Sequence, residues 1–420
     1  MKVAILTTFQ EFNPGYSLSG IVLDQCKMLT KYGNEVHLFV NEQYYGTDDF
    51  PEGVTLRKEI PFAHLKDYRS RKDLVPEHVE IVDRMAALML EVAPEFDVIF
   101  THDLVFTGWN MIYALGILKA ATGFLETRWM HWVHSIPSGL KDWWNIQEYG
   151  PKHKLVFPNK PDVRRVAEQF RGLEQHVEVI PHIKDMRTWF EFCEETCDFI
   201  EEYPAVMQAD IVQIFPASTD RLSAKRVKEV IMMFGLFKKR GLSICLVIAN
   251  QWATGTQPKE NVEQYIKIAR RCGLKVGEEF VFTSEWRAPT YATGIPRRML
   301  RELLQLSNLF IFPTQEESFG LVVPEAALSG GCLMVLNKSL HSQLEMSGWT
   351  TLYFDFGSYH NNFTPGSGWG PYLDDLVTVI VYRLQHNEAV LCKTFFRQAL
   401  NMDSLYVHSY EPILKGSIMW

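Results

Sequence analysis

The stretch Leu309–Leu336, LFIFPTQEESFGLVVPEAALSGGCLMVL, decides the fold reading. An apolar run, Leu309-Phe310-Ile311-Phe312, has the length and bulk of a buried strand, and a second, Leu333-Met334-Val335-Leu336, follows it. Between them lies a short helical pattern with Pro324 near its start, where proline is tolerated best. It stops at Gly330-Gly331, a helix C-terminal signal. The order is strand, loop, helix, strand. Glu317 falls on the loop and Glu325 at the helix start, eight positions apart around Ser318-Phe319-Gly320. In a parallel sheet that edge is where ligands bind. A carboxylate there accepts two hydroxyl protons at once, which suits a sugar or a ribose diol.

The same grammar extends in both directions. Val3–Leu6 reads as a strand, Thr7–Ser19 as a polar loop, Ile21, Leu23, Met28 and Leu29 as one helix face, and Glu35–Val40 as the next strand. Further strands are expected at 97–100, 129–133, 154–157 and 177–180, with a helix over 76–93. A second set begins near Ile211, with strands at 211–215, 244–248 and 280–282. Helices at 224–239, 259–272 and 296–306 separate them. Alternating strands and helices predict parallel sheets, so the fold class is α/β with two Rossmann-like doubly wound domains facing a cleft. The expected division is 1–200, then 201–400, with 401–420 packing back on the first domain. Residues 186–210 read as a helix plus linker.

Bulk composition excludes several function classes. The 420 residues carry 42 Lys+Arg against 50 Asp+Glu, a formal charge of -8, which gives no general attraction to nucleic acid or anionic membrane. The opening MKVAILTTFQEF is too short for a secretion signal, and no apolar run approaches the length of a membrane span. Seven scattered cysteines fit a reduced cytoplasm better than a disulfide framework. The GxGxxG of Rossmann oxidoreductases and the GxxxxGK[ST] of P-loop NTPases are both absent. No Asp-x-Asp pair and no zinc spacing occurs, so no metal site is expected, and phosphate would have to be met by Arg, Lys and helix N-termini.

Such cations follow the strand at 211–215, in Pro216-Ala217-Ser218-Thr219-Asp220-Arg221-Leu222-Ser223-Ala224-Lys225-Arg226. A guanidinium grips phosphate with two parallel hydrogen bonds and an ammonium adds a point charge. Arg221 and Lys225 together suit a departing diphosphate, whose charge grows as it leaves. Alone, a charged helix start is usually just solvated. In the same predicted sheet as the glutamate pair, it points to a site. Arg297, Arg298 and Arg301 open another helix, where cations oppose the dipole, a pattern compatible with a polyanion contact. Trp109, Trp143 and Trp144 are either core or the wall of an acceptor cleft. His102-Asp103 is either at the acceptor or merely at a sheet edge.

The two glutamates framing Ser-Phe-Gly, followed by Glu-Ala and a Gly-Gly turn, resemble the retaining glycosyltransferases of family four, which have the GT-B fold. The resemblance implies that Glu317 contacts hydroxyls of a donor sugar and Glu325 binds the nucleotide ribose. Ser318, Phe319 and Gly320 form the turn between them. Arg221 and Lys225 would hold the diphosphate, with Arg226 a substitute for Lys225. Ser19-Gly20 resembles the first-loop Gly-Gly, with Gly20 near phosphate. His134 in Trp132-Val133-His134-Ser135 resembles the histidine near the donor sugar. Pro181-His182-Ile183-Lys184-Asp185 resembles a domain-closing turn of which Pro and Asp survive, and Asp220 stands where the family has Gly. The implied activity is retaining, metal-free sugar transfer from a UDP- or GDP-sugar to a hydroxyl acceptor, with no cofactor. The acceptor is a glycan, a protein or a small molecule, or else a hydroxymethylated DNA base. A sugar-nucleotide epimerase of the same fold is the rival reaction, and a binding module without turnover the non-enzymatic one.

Overall fold

A computed structural model of the chain describes residues 1–13, 15–47, 50–63, 70–107, 110–123, 126–134, 145–251, 259–317, 320–340 and 351–420. Ser318, Phe319, Trp109, Trp143 and Trp144 lie outside them. The chain divides into two compact units: Met1–Lys184 with Leu400–Trp420, and Asp185–Ala399.

In unit 1, seven strands form one parallel sheet. They are β1 (Lys2–Leu6), β2 (Glu35–Asn41), β3 (Val54–Ile60), β4 (Val98–His102), β5 (Arg128–Trp132), β6 (His153–Phe157) and β7 (Val177–Val179). The spatial order is β3-β2-β1-β4-β5-β6-β7, so the winding reverses between β1 and β4. Alternation along β1 shows why both faces are apolar. Val3 and Ile5 enter the core under α1 (Ser17–Lys31), while Ala4 and Leu6 enter the core that α2 (Pro76–Val92), α3 (Met111–Ala120) and α4 (Val163–Gln169) share. The segment from Leu400 completes the α1 side. Tyr406 stacks on Tyr32 with ring centroids 3.7 Å apart, and Asp403 accepts a hydrogen bond from the Tyr32 hydroxyl at 2.7 Å.

Unit 2 has two three-stranded parallel sheets. One contains β8 (Ile211–Ser218), β9 (Ile244–Gln251) and β10 (Phe280–Phe282) in the order β10-β9-β8; the other contains β11 (Leu309–Phe312), β12 (Leu333–Asn337) and β13 (Leu352–Phe354) in the order β11-β12-β13. Buried side chains join β8 to β11 where a backbone ladder would otherwise run. Gln213 donates to the Ile311 carbonyl at 2.8 Å and accepts from the Ile311 N–H at 3.0 Å. Asn308 Oδ1 accepts from the Val212 N–H at 2.9 Å, and Ser307 Oγ from the Ile214 N–H at 3.1 Å. Laid edge to edge, the order is β10-β9-β8-β11-β12-β13, the doubly wound order with its reversal at β8 and β11.

Three expectations change. The unit boundary falls at Lys184/Asp185 instead of near 200. Residues 186–210 are not one helix and a linker but three short helices, α5 (Met186–Trp189), α6 (Glu194–Glu202) and α7 (Ala205–Gln208), held by unit 2. The buried Glu302 carboxylate of α10 (Arg297–Leu306) takes hydrogen bonds from the Cys193 N–H at 2.9 Å and the Thr196 hydroxyl at 2.6 Å at the start of α6. The helix expected from 224 begins instead at Val227, as α8 (Val227–Lys239), because Arg226 adopts a left-handed conformation with φ 52°; α9 (Lys259–Arg271) follows β9. Among the described residues no helix is long and apolar enough to cross a membrane.

Candidate active site

In each unit the C-terminal ends of the strands at the reversal point are where crossover connections leave in opposite directions and expose the sheet edge. In unit 2 that place lies between β8 and β11. The loop after β8 carries Arg221 and Lys225, and the loop after β11 carries Glu316 and Glu317. The two loops are tied by their backbones, since the Gln315 N–H donates to the Ala224 carbonyl at 2.9 Å. They are also tied by charge. Lys225 Nζ donates to Glu317 Oε1, with side chains only 12% and 20% exposed, and sits 5.1 Å from the centre of the Phe312 ring. Arg221 pairs with Glu316 at 2.8 Å, far more exposed at 46% and 57%. The diphosphate-binding pair expected from sequence and the first glutamate are thus brought together. Glu316 was passed over; its position next to Glu317 on the same strand-end loop was the available signal.

Gly320 has φ 82°, a left-handed turn that a side chain would strain, and an added Cβ would come within 3.4 Å of Glu317 Cγ. Two residues on begins α11 (Val322–Leu328), with Glu325 in its first turn. Glu325 faces Arg297 at the start of α10, Oε1 to Nη2 3.4 Å. A groove of about 580 Å³ opens beside it, lined by Leu300, Arg301, Leu304 and Leu328 among others. Arg298 and Arg301 both face Glu302, at 2.8 and 4.0 Å. With carboxylates opposite all three, the arginines of α10 are less of a polyanion site than their sequence suggests.

Arg226 turns away from Lys225. Its guanidinium pairs with Glu229 at 3.3 Å and lies 5.1 Å from the centre of the Trp369 ring. Among the described residues its buried Nε has no hydrogen-bond partner.

In unit 1 the reversal lies between β1 and β4. Ser19 and Gly20 were expected at the end of a loop, but α1 already begins at Ser17, which puts Gly20 in its first turn. Gly20 is exposed, and an added Cβ would meet nothing within 4 Å. Beyond β4, Asp103 takes φ 47° and receives the Tyr16 hydroxyl at 3.3 Å. Burial raises the Asp103 carboxyl to about 6. His134 stands two residues beyond β5, its Nε2 3.0 Å from His102 Nδ1. Its ring stacks between those of His102 and His182, each centroid 5.2 Å away. Burial pushes His134 down to about 3 and lowers His102 and His182 as well, so all three rings are neutral at pH 7. His131, on the opposite face of β5, is bound into the core between Thr101 and His153, each at 3.0 Å. At the domain turn, Asp185 caps α5 by accepting the Arg187 N–H at 2.8 Å. Among the described residues no cluster of His, Cys, Asp and Glu could hold a metal ion.

No family model matches the chain, and no curated protein matches it in sequence. Solved structures do match. One is HepE from Anabaena, in complex with UDP and glucose (13% identity, covering 99% of this chain and 100% of that one, TM-score 0.32). A glycosyltransferase from Rickettsia africae is similar (12% identity, 99% and 96%, TM-score 0.34). So is a sucrose-phosphate synthase from Thermosynechococcus elongatus (13% identity, 99% and 97%, TM-score 0.32). Likeness this weak leaves the functional reading to the chain's own residues.

Proposed function

We propose that the protein is a glycosyltransferase that moves a sugar from a nucleotide-sugar donor to a hydroxyl acceptor, with retention at the anomeric carbon and without a metal. One observation carries the reading. Two cations and two carboxylates, 92 to 95 residues apart in pairs, converge on one strand-end edge at the reversal of the unit 2 sheet. Cations there suit a diphosphate and carboxylates suit sugar hydroxyls, which is the composition of a nucleoside diphosphate sugar.

Arg221 and Lys225 hold the diphosphate and gain strength as the bond to the sugar breaks, because charge then accumulates on the leaving oxygen. Lys225 exchanges Glu317 for phosphate, which frees Glu317 for the sugar hydroxyls. Glu325 takes the ribose, and Gly320 gives the loop its turn. In unit 1, Gly20 lets a phosphate approach the amides at the start of α1, and neutral His134 supports the sugar. The acceptor hydroxyl attacks from the face the leaving group vacates and passes its proton to the departing phosphate oxygen. No protein nucleophile is needed.

The test is thermal stabilisation by a panel of UDP- and GDP-sugars, followed by product analysis. A bound donor raises the melting point. NMR of the product reads the anomeric configuration, and incubation with donor alone separates transfer from epimerisation. Activity persists in a chelator. A donor that stabilises Arg221→Ala as well as the parent would exclude the site.

A further inference from the structure

The strands that flank the reversal in unit 2 each finish in a buried asparagine. β12 pairs with β11 and ends at Asn337, while β9 pairs with β8 and carries Asn250 as its last residue but one. The two asparagines are 0% and 1% exposed. A buried amide is costly unless it is hydrogen-bonded, so the contacts of both call for an account.

The Asn337 amide meets four backbone groups. Nδ2 donates to the Thr314 carbonyl at 2.9 Å and to the Gly357 carbonyl at 2.7 Å. Oδ1 accepts the Ser339 N–H at 3.0 Å and the Phe356 N–H at 3.1 Å. None of these groups can exchange donor for acceptor, so an amide turned over would lose all four bonds, and its orientation is fixed. The loops after β11, β12 and β13 are joined in this way. The first of them is the acid-bearing loop, which runs from Thr314 directly through Gln315 to Glu316 and Glu317. Thr314 is fully buried, and its hydroxyl donates to the Glu316 carbonyl at 3.0 Å.

Asn250 holds the cation-bearing loop. Its Oδ1 accepts the Ser284 N–H at 3.0 Å, a backbone donor that fixes this amide as well. Its Nδ2 donates to the Thr219 hydroxyl at 3.0 Å and to the Ser284 hydroxyl at 2.8 Å. Thr219 opens the short turn that closes at Arg221. The loop after β8 is thus tied to the loop after β10.

We infer that Asn337 and Asn250 are positioning residues that set two parts of the donor site separately: Asn337 places the carboxylates that meet the sugar, and Asn250 places the guanidinium that meets the diphosphate. The inference rests on the roles of Glu317 and Arg221 proposed above and lies wholly within unit 2. Each amide holds a different loop, so each governs a different portion of one ligand. A merely structural asparagine would weaken every portion alike.

The experiment pairs hydrogen–deuterium exchange of the ligand-free, full-length protein with calorimetric titration of UDP, GDP, UDP-glucose and GDP-mannose. Asn337→Asp keeps an acceptor for Ser339 and Phe356 but sets an oxygen against the Thr314 and Gly357 carbonyls, which releases the acid-bearing loop. The Gln315 amide, bonded to the Ala224 carbonyl at 2.9 Å, then exchanges roughly tenfold faster, as for one hydrogen bond lost, while the Ser284 amide keeps its parental rate. Asn250→Leu does the reverse. In Asn337→Asp the Kd of the sugar nucleotide rises roughly tenfold, as for one charge-assisted contact misplaced, and that of its nucleoside diphosphate does not rise. In Asn250→Leu both rise by the same factor, because both carry the diphosphate. Should the buried carboxylate prevent folding, Asn337→Ser removes the amide without adding charge and shows the same split. Parental exchange at Gln315, faster exchange at Gln315 and Ser284 alike in either variant, or equal loss of both ligands in the Asn337 variants overturns the inference. A parent that binds none of the four probes defeats the proposed function, whereas the exchange rates, read without ligand, still decide whether each asparagine governs its own loop.

Discussion

Lys225 and Glu317 close an ion pair between the loop after β8 and the loop after β11, across the point where the unit 2 sheet reverses. Each is the group the other would lose to a ligand. In the proposed reaction a phosphate would take Lys225 from Glu317, and the carboxylate would turn to a sugar hydroxyl. Arg221 and Glu316 repeat the relationship in a more exposed setting.

The two pairs therefore separate catalysis from stability in opposite ways. Arg221→Ala is expected to lower turnover by on the order of a hundredfold or more, the usual loss for a donor aimed at developing charge. Its effect on folding should stay within about 0.5 kcal/mol, because an exposed pair is worth little. Glu317→Ala should lose a similar factor in turnover, and it should also destabilise measurably by stranding Lys225 in a shielded place. Steady-state kinetics beside urea denaturation reads both. An Arg221→Ala enzyme with parental kcat would remove the diphosphate role.

Gln213 is where fold and site meet. Its amide satisfies both the N–H and the C=O of Ile311, so it fixes the spacing of β8 and β11, whose loops carry the cations and the acids. Gln213→Met keeps the volume and removes both hydrogen bonds. It is expected to cost about 2–4 kcal/mol, for two buried polar groups left unpaired, seen as a lower urea midpoint with unchanged slope. Donor affinity should fall with it. A variant as stable as the parent would mean that the two sheets are held by packing alone.

Much of this could be read from the chain. The strands at 280–282 and 309–312 coincide with those expected, because a short apolar run bounded by turns has few other folded uses. Strand β3 was missed because it lies at the sheet edge and its Arg57, Lys58 and Glu59 read as surface. Helix α3 was missed for the opposite reason: Met111–Ala120 is apolar nearly all round and has no face to detect. The placement of Arg221 and Lys225 on one strand-end loop and of Glu317 on another was legible because the first two come after β8 and the third after β11. The hydrogen bonds from Gln25 to Tyr410, His102 to Gln25 and His102 to His134 were not, since they span 385, 77 and 32 residues and no local pattern links them.

Acid should destabilise the protein well above the carboxylate range. Burial depresses the folded-state values of His134 and His153 to about 3, below the unfolded value near 6.5, so the unfolded chain binds more protons between those limits. Stability is then fully present above pH 6.5 and is lost as pH falls toward 3. From pH 6.5 to 5 each such ring contributes a loss of about 2 kcal/mol. Asp103 acts in the opposite sense, because its value is raised to about 6, and it loses stability as pH rises from about 4 to 6. Urea midpoints at pH 7.5, 6 and 5 should fall in that order, and His153→Gln should flatten the fall. An unchanged midpoint at pH 5 would show that the rings are solvated.

Gly20 offers a case in which stability and function part. It sits in the first turn of α1, where a glycine without positive φ is unfavourable, and a Cβ there meets nothing. Gly20→Ala should therefore stabilise unit 1 by roughly 0.5–1 kcal/mol. If a phosphate approaches the amides of this turn, the same methyl intrudes on it, and donor KM rises while the melting temperature rises too. Gly20→Val adds bulk at the same place and should raise KM further, with less gain in stability because a β-branched residue suits a helix less well. Thermal unfolding and donor titration on the two variants measure both quantities. A Gly20→Ala protein that is more stable and binds donor as the parent does would take Gly20 out of the site and leave the diphosphate to Arg221 and Lys225 alone.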